Sequence, residues 1–361
     1  MIKRRTFLGS VTALFAAGTS KAHATVLPNG FFTAAPGLDR LDWNCRVIET
    51  VSHRSDRRKP VVTGVDIDAA GKLMAVVGDD HFVGIYNFRD EEFSEHLDRH
   101  TDWVRTARFS NQGNVLATAG NDRQLLMWDV NDLKAPVLTK RNSEAIFEVA
   151  FSPDDSKIAT VGFEPWLRIF DQNDGSQIQK LRCACPDNHA IAFSKDGALV
   201  AAAGRCGRVR IWNATTGQQT AQYKAHRKRV RSLEFTANSL LVSGGDDQIV
   251  TIADPNKTKA MRHLPRLSSK LYSLQLLDQG LIATGGSNNR IQISRLSDGS
   301  TVGSLAGHTG TVSCLAQTGD QLVSGSYDTQ VRVWSPGLEV TAPNQIIDRH
   351  TQLDQGWTNK R

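Results

Sequence analysis

Two sets of residues carry the ingredients of nucleophilic chemistry. His100, Thr118 and Asp122 combine an imidazole, a hydroxyl and a carboxylate, and His308, Ser324 and Asp328 repeat the combination at similar spacing. A hydroxyl beside an imidazole that a carboxylate orients is the arrangement that activates a nucleophile. A third set is built on sulfur: Cys183-x-Cys185-x3-His189, with Cys206 further on. Such thiols can pair, stay free or, with the histidine, ligate a metal. Cys-x-Cys is not the usual zinc spacing, and no second pair of cysteines follows, so no metal is expected. The chain has no glycine-rich phosphate loop, no His-Glu-x-x-His pair, no Cys-x-x-Cys-His haem attachment and no evident pair of catalytic carboxylates. What the first two sets do depends on the elements that hold them.

Those elements repeat. Seven segments align on a glycine and a following acid, at a period of about 40 residues. They are Leu73–Phe88, Val115–Val130, Lys157–Gln172, Leu199–Ala214, Leu240–Pro255, Leu281–Leu296 and Leu322–Gly337. Each holds two short β-branched, apolar runs split by a Gly-x-Asp-like turn, a hairpin signal. Another apolar run lies upstream, as in Val104–Phe109, Ile146–Phe151, Val230–Phe235 and Val312–Leu315. Turn formers such as Ser152-Pro153-Asp154-Asp155 and Ser194-Lys195-Asp196-Gly197 follow several of these runs. A fourth, more polar run joins one copy to the next. Four strands per copy cannot bury a face alone, but sheets stacked radially bury one another. The expected fold is all-β, a seven-bladed β-propeller of four-stranded antiparallel blades.

Gly307-His308, Ser324-Gly325-Ser326-Tyr327-Asp328 and Val331-Arg332-Val333-Trp334 resemble the Trp-Asp (WD) repeat. So do Arg99-His100, Thr118-Ala119-Gly120-Asn121-Asp122 and Leu126-Met127-Trp128-Asp129. The resemblance covers residues 43–336 and implies a seven-bladed propeller. It also implies a buried network in which His100, Thr118, Asp122 and Trp128 bond together, and likewise His308, Ser324, Asp328 and Trp334. The hydroxyl then faces an indole inside a blade, and no catalytic residue is expected. The fifth copy keeps His226, Ser243 and Asp247 but has Ala253 in place of the Trp. The first, third and sixth depart further, the third with Glu164 at the turn and no His, and are expected to rely on packing. In the fourth, Ala184 stands for the His and Cys206 for the Asp. The resemblance therefore brings Cys206 near Cys183 and Cys185, with a disulfide to either one set against three free buried thiols. Cys45 and Cys314 fall on the outer and inner strands of one blade, too far apart to bond.

The last copy ends at its third strand. Cys45–Val51, ahead of the first copy, sits where an outer strand belongs and is expected to complete the last blade, closing the ring. Ile347-Asp348-Arg349-His350-Thr351 echoes Leu97-Asp98-Arg99-His100-Thr101 and makes the tail the rival for that place.

Lys3-Arg4-Arg5, then Thr6-Phe7-Leu8, a weakly apolar stretch to Ser20, and Ala22-His23-Ala24 read in order as a signal peptide of twin-arginine type. The apolar stretch is too short to span a bilayer. The chain thus divides into a leader (1–24), an extension (25–42), the propeller (43–336) and a tail (337–361), with a periplasmic destination. The 361 residues carry 43 Lys and Arg against 37 Asp and Glu. The leader holds Lys3, Arg4, Arg5 and Lys21 and no acid, so without it the formal net charge falls from +6 to +2. Neither that balance nor an exported chain suits a nucleic-acid partner.

In WD propellers the entrance of the inner strand and the hairpin turn lie on one face around the channel. By that resemblance the entrance ring is Val61, Trp103, Ala145, Asp187, Arg229, Lys270 and Thr311, and the turn ring is Asp79, Asn121, Phe163, Arg205, Asp246, Ser287 and Tyr327. Exposed aromatics mixed with arginine are typical of interface hot spots. A protein or peptide partner is expected at Trp103, Asn121, Phe163, Arg205, Arg229, Asp246, Lys270 and Tyr327. The loop Lys224-Ala225-His226-Arg227-Lys228-Arg229, with Arg205 and Lys270, makes a positive crescent for an anionic ligand: an acidic peptide, a sugar phosphate or a membrane surface. Basic Arg54–Lys59 is placed on the same face. The expectation is a monomeric, non-enzymatic scaffold without a cofactor. The alternative is an enzyme holding a metal or cofactor in the channel.

Overall fold

The computed structural model describes residues 25–26, 43–51, 58–256 and 261–336. The leader, the tail and residues 52–57 of the basic loop lie outside them.

The chain folds into seven antiparallel sheets arranged in a ring. Their inner strands are Val62–Ile67, Val104–Phe109, Ile146–Phe151, Asn188–Phe193, Val230–Phe235, Leu271–Leu277 and Val312–Thr318. Each inner strand packs against the next, and the seventh packs against the first. Blades 1 to 6 are four-stranded, built outward in chain order. The only helical element among the described residues is the 3-10 turn Asp278–Gly280. No helix there is long and apolar enough to cross a membrane.

Closure uses the N-terminal segment. Trp43–Glu49 pairs antiparallel with Gln330–Pro336 through seven residue pairs, from Trp43 opposite Pro336 to Glu49 opposite Gln330. Blade 7 is therefore completed from the other end of the chain, as Cys45–Val51 predicts. A short strand, Thr25–Val26, adds outside it, opposite Arg46 and Val47, so this sheet has five strands. That fifth strand lies in the segment read as an extension (25–42).

The core lies between blades. Ala75, Val77, Val83 and Ile85 of blade 1 pack against Val104, Ala107, Leu116, Leu126 and Trp128 of blade 2. At the seam, Ile48, Val331 and Val333 of blade 7 meet Val62, Val65 and Met74 of blade 1. The second strand of each blade is flanked on both sides within its sheet and covered on both faces, and five consecutive residues of it are buried. This explains apolar runs without alternation. All seven inner strands also carry a register shift after their first residue, as between Val104 and Thr106 or Val230 and Ser232. A bulge at this point turns one extra side chain toward the end of the channel.

A candidate interaction site at the channel mouth

The two hydroxyl–imidazole–carboxylate sets are interior struts. His100 Nδ1 lies 2.8 Å from Asp122 Oδ2, its Nε2 lies 2.8 Å from Thr118 Oγ1, and Trp128 Nε1 donates to the same oxygen at 3.0 Å. In blade 7, His308 lies 2.8 Å from both Asp328 Oδ2 and Ser324 Oγ, and Trp334 Nε1 donates to Ser324 Oγ at 2.8 Å. With Nδ1–H given to the carboxylate, Nε2 accepts from the hydroxyl while the hydroxyl accepts from the indole. The hydroxyl proton and both imidazole nitrogens of that chain are committed internally. Burial pushes His308 below its ordinary value; burial alone would raise Asp328, but the bonds from His308 and two backbone N–H groups hold it down at about 2. Thr118 and Ser324 are fully buried, out of reach of any substrate.

Blade 3 corrects the expectation of plain packing. Asn142 stands in the His place and donates to Thr160 Oγ1 at 3.4 Å, while Glu164 accepts from Ser143 at 2.9 Å and from Arg168 through two bonds of 2.7 Å. In blade 4, Cys185 and Cys206 form a disulfide with Cα atoms 5.8 Å apart, one residue beyond the Ala184 position. Cys183 is free and buried, its thiol pushed up to about 12 by burial; Cys45 and Cys314 are free as well. His189 is stacked on Phe147 at 3.8 Å between ring centres, with its Nε2 2.8 Å from Asp187 Oδ1. Among the described residues no group of His, Cys, Asp and Glu converges as a metal site.

The entrance and turn rings are bonded to each other blade by blade. The N–H of Asn121 donates to Trp103 O, Phe163 to Ala145, Arg205 to Asp187, Asp246 to Arg229, Ser287 to Lys270 and Tyr327 to Thr311, at 2.8 to 3.1 Å. In blade 1, Val61 N donates to the Asp79 side chain at 2.8 Å. The turn's glycine permits this contact: a Cβ on Gly120 would lie 2.1 Å from Trp103 O.

A third ring is formed by the bulge residues, two places beyond the entrance residues, and the sequence reading missed it. It includes Arg105, Phe147, His189, Arg231 and Tyr272. Arg105 Nε donates to Asn121 Oδ1 at 2.9 Å, and its guanidinium lies over Trp103 at 4.8 Å and Phe147 at 5.3 Å. Phe147 packs on Phe163 at 4.4 Å. Across the mouth, Arg231 bonds Asp246 at 2.9 Å and lies over Tyr272 at 4.8 Å, and Tyr272 meets Tyr327 edge-on. Burial between aromatic rings pushes the Arg105 guanidinium down from its ordinary value. Arg229 is not a free cation: its Nη2 bonds Asp187 Oδ2 at 2.8 Å, while His189 Nε2 lies 2.8 Å from the other oxygen. Burial alone would raise Asp187, but these two partners hold its carboxyl below its ordinary value. Of the basic loop, Lys59 bonds Glu49 and Arg58 lies 3.8 Å from Asp79.

Below the mouth the channel encloses about 490 Å³, with Asp66, Arg108, Glu148, Glu234 and Lys195 among its lining. Arg108 lies 3.2 Å from Glu148 and 3.9 Å from Asp66. Burial pushes Asp66 up to about 6 and Glu234 up to about 7.

The family model for the WD domain, G-beta repeat, matches residues 91–129, 181–213, 217–254 and 299–335. The chain therefore carries WD40 repeats on a seven-bladed propeller, a fold that typically serves protein interaction. It is 34% identical over 79 residues, 21% of its length, to BEACH domain-containing protein B of Arabidopsis thaliana. It is 26% identical over 115 residues, 32% of its length, to DENN domain and WD repeat-containing protein SCD1 of the same plant. The matches span 3% and 10% of those two proteins, so they speak to the repeats and not to the rest of either relative.

Proposed function

We propose that this chain is an exported, non-enzymatic platform that binds a protein or peptide across the channel mouth. One observation carries the reading. Among the described residues, every large aromatic side chain classed as exposed, Trp103 at 41%, Phe163 at 47% and Tyr327 at 46%, stands on this rim. Each is braced from behind: Trp103 and Phe163 by Arg105 and Phe147, Tyr327 by Tyr272. Rigid aromatics beside arginines supply contact area at low entropic cost, the composition of an interface centre. The committed hydroxyls of blades 2 and 7 support a non-catalytic role. The twin arginines of the leader support export, and the Cys185–Cys206 bridge suits an oxidising compartment.

Affinity capture from periplasmic extract tests it, using wild type, Trp103→Ala/Phe163→Ala, and a control at the far end of the channel, Lys195→Ala. The same partner is expected with wild type and control and is lost at least tenfold with the double variant. Equal recovery by all three removes the mouth as the site. Fractionation with N-terminal sequencing tests export: the chain should begin near Thr25 outside the cytoplasm, and a cytoplasmic chain retaining residues 1–24 refutes it.

A further inference from the structure

The outer edge of blade 5 differs from its neighbours. In blade 4 the outer strand runs on to Lys224, opposite Arg208. In blade 5 residue pairing ends at His263 opposite Thr251, with one further backbone bond from Leu264 N to Val250 O at 2.9 Å, and Pro265 follows at the place opposite Ile249. The chain turns away there, and Leu267 N reaches back to Gln248 O. A pocket of about 570 Å³ lies at this edge.

Its charge is one-sided. Four cations, Lys224, Arg227, Lys228 and Arg266, line it and are exposed, beside the exposed imidazole of His263 and against one acid among the described residues, Asp247. That acid is already consumed: Oδ1 takes His226 Nδ1 at 3.0 Å and Ile249 N at 3.3 Å, and Oδ2 takes Arg227 N at 2.9 Å. Three of the donors are held by neutral groups: Lys224 by Cys206 O, Arg266 Nε by Gln248 Oε1 at 2.7 Å, and His263 Nδ1 by Thr251 Oγ1 at 3.0 Å. Among the described residues Arg227 and Lys228 form no ion pair. Fixed cations with spare donors and no counter-charge around a concave space are arranged to receive a compact, multiply charged anion.

We infer that this pocket binds the phosphate group of a small soluble molecule, a monoester or diphosphate. Its volume is that of a small-ligand site. Among the described residues no Phe, Tyr or Trp lines it, so none of them offers a stacking platform for a nucleobase. Its apolar lining is buried Ala225 and half-buried Ile249, with no side chain to insert into lipid. The site is separate from the channel mouth and stands or falls apart from it.

The experiment is isothermal titration of the full chain with inorganic pyrophosphate at fixed ionic strength. Wild type should bind one equivalent. Arg227→Gln/Arg266→Gln, which removes two exposed charges and leaves the core intact, should bind about a hundredfold more weakly, roughly tenfold for each charge-assisted contact. Arg89→Gln/Arg141→Gln, the same loss of charge elsewhere, should bind within twofold of wild type. No binding by wild type, unchanged binding by the pocket variant, or equal weakening in both variants overturns the proposal. A flotation arm with phosphatidylserine vesicles separates the sources of phosphate. Flotation that needs Arg227 and Arg266 but resists competition by pyrophosphate would assign the pocket to a membrane surface and overturn it too.

Discussion

Blade 4 holds its entrance loop to its hairpin turn by sulfur, where blades 2 and 7 use a His–Asp bond. Cys206→Ser removes that tie and restores neither partner of the other kind. The bond closes a loop with a sequence separation of 21. In the chain-entropy description, losing such a loop closure costs about 3 kcal/mol. Unfolding entropy near the midpoint is about 2 cal/mol/K per residue, so a ring of this size should melt about 5 °C lower. Calorimetry of wild type, of wild type in reductant and of Cys206→Ser measures this, and the last two should coincide. Thiol titration of the denatured chain gives the companion count: five cysteines are present, three of them free, so three should react without reductant and five with it. Cys183→Ala should keep the difference of two. Five reactive thiols in the absence of reductant would show that no bridge forms. A confirmed bridge whose loss leaves the midpoint unmoved would refute the loop-closure reasoning itself.

Two further outcomes follow from the seam and the channel. Ile48 is 2% exposed and packs between the first and last blades, so Ile48→Ala should cost about 2–4 kcal/mol in urea unfolding by the lost transfer and cavity terms. A cost below 1 kcal/mol would mean that the N-terminal strand does not hold the ring shut. Burial raises Glu234 to about 7; a carboxyl that binds its proton more tightly folded than unfolded loses stability as pH rises from its unfolded value near 4 through 7. Glu234→Gln should therefore add about 1 kcal/mol at pH 8, discounted because the side chain is only half-buried, and nothing at pH 4. A gain at pH 4 of the same size would contradict it.

The fold was readable because its information is local. Each copy states its own hairpin, most of them with the glycine and the acid, and seven in phase leave few alternatives to a ring. The struts were readable for the same reason: His100, Thr118, Asp122 and Trp128 lie within one copy. The mouth was readable only in part. Arg105, Phe147 and Tyr272 reach the rim because a bulge follows the first residue of each inner strand, and no residue type announces that bulge. The signal available was the constant offset of two from the entrance ring, the side-chain period of a strand. Arg229 looked like free charge because its partner Asp187 lies 42 positions away on the next blade. Asn142 and Ser143 were passed over in blade 3 because they are not the residues the WD resemblance supplies, though they serve the same turn.

The division of labour in the ring explains how one scaffold can carry two unlike surfaces. Folding energy resides between blades, in clusters such as Ile48–Val62–Val331, which involve no rim side chain. The rim is then positioned by backbone bonds between entrance and turn, which tolerate almost any side chain outside the glycine. Residues there are free to serve binding. At the mouth that freedom produces aromatic surface fixed by arginines already paired or stacked, so a partner gains area without having to order it. At the edge of blade 5 a short outer strand, followed by Pro265, borders exposed cations around a space with its acid spent. The first surface selects by shape and desolvation, and the second by charge. Raising salt should therefore weaken pyrophosphate binding steeply while leaving capture at the mouth nearly unchanged; parallel loss at both would mean that they are one electrostatic patch.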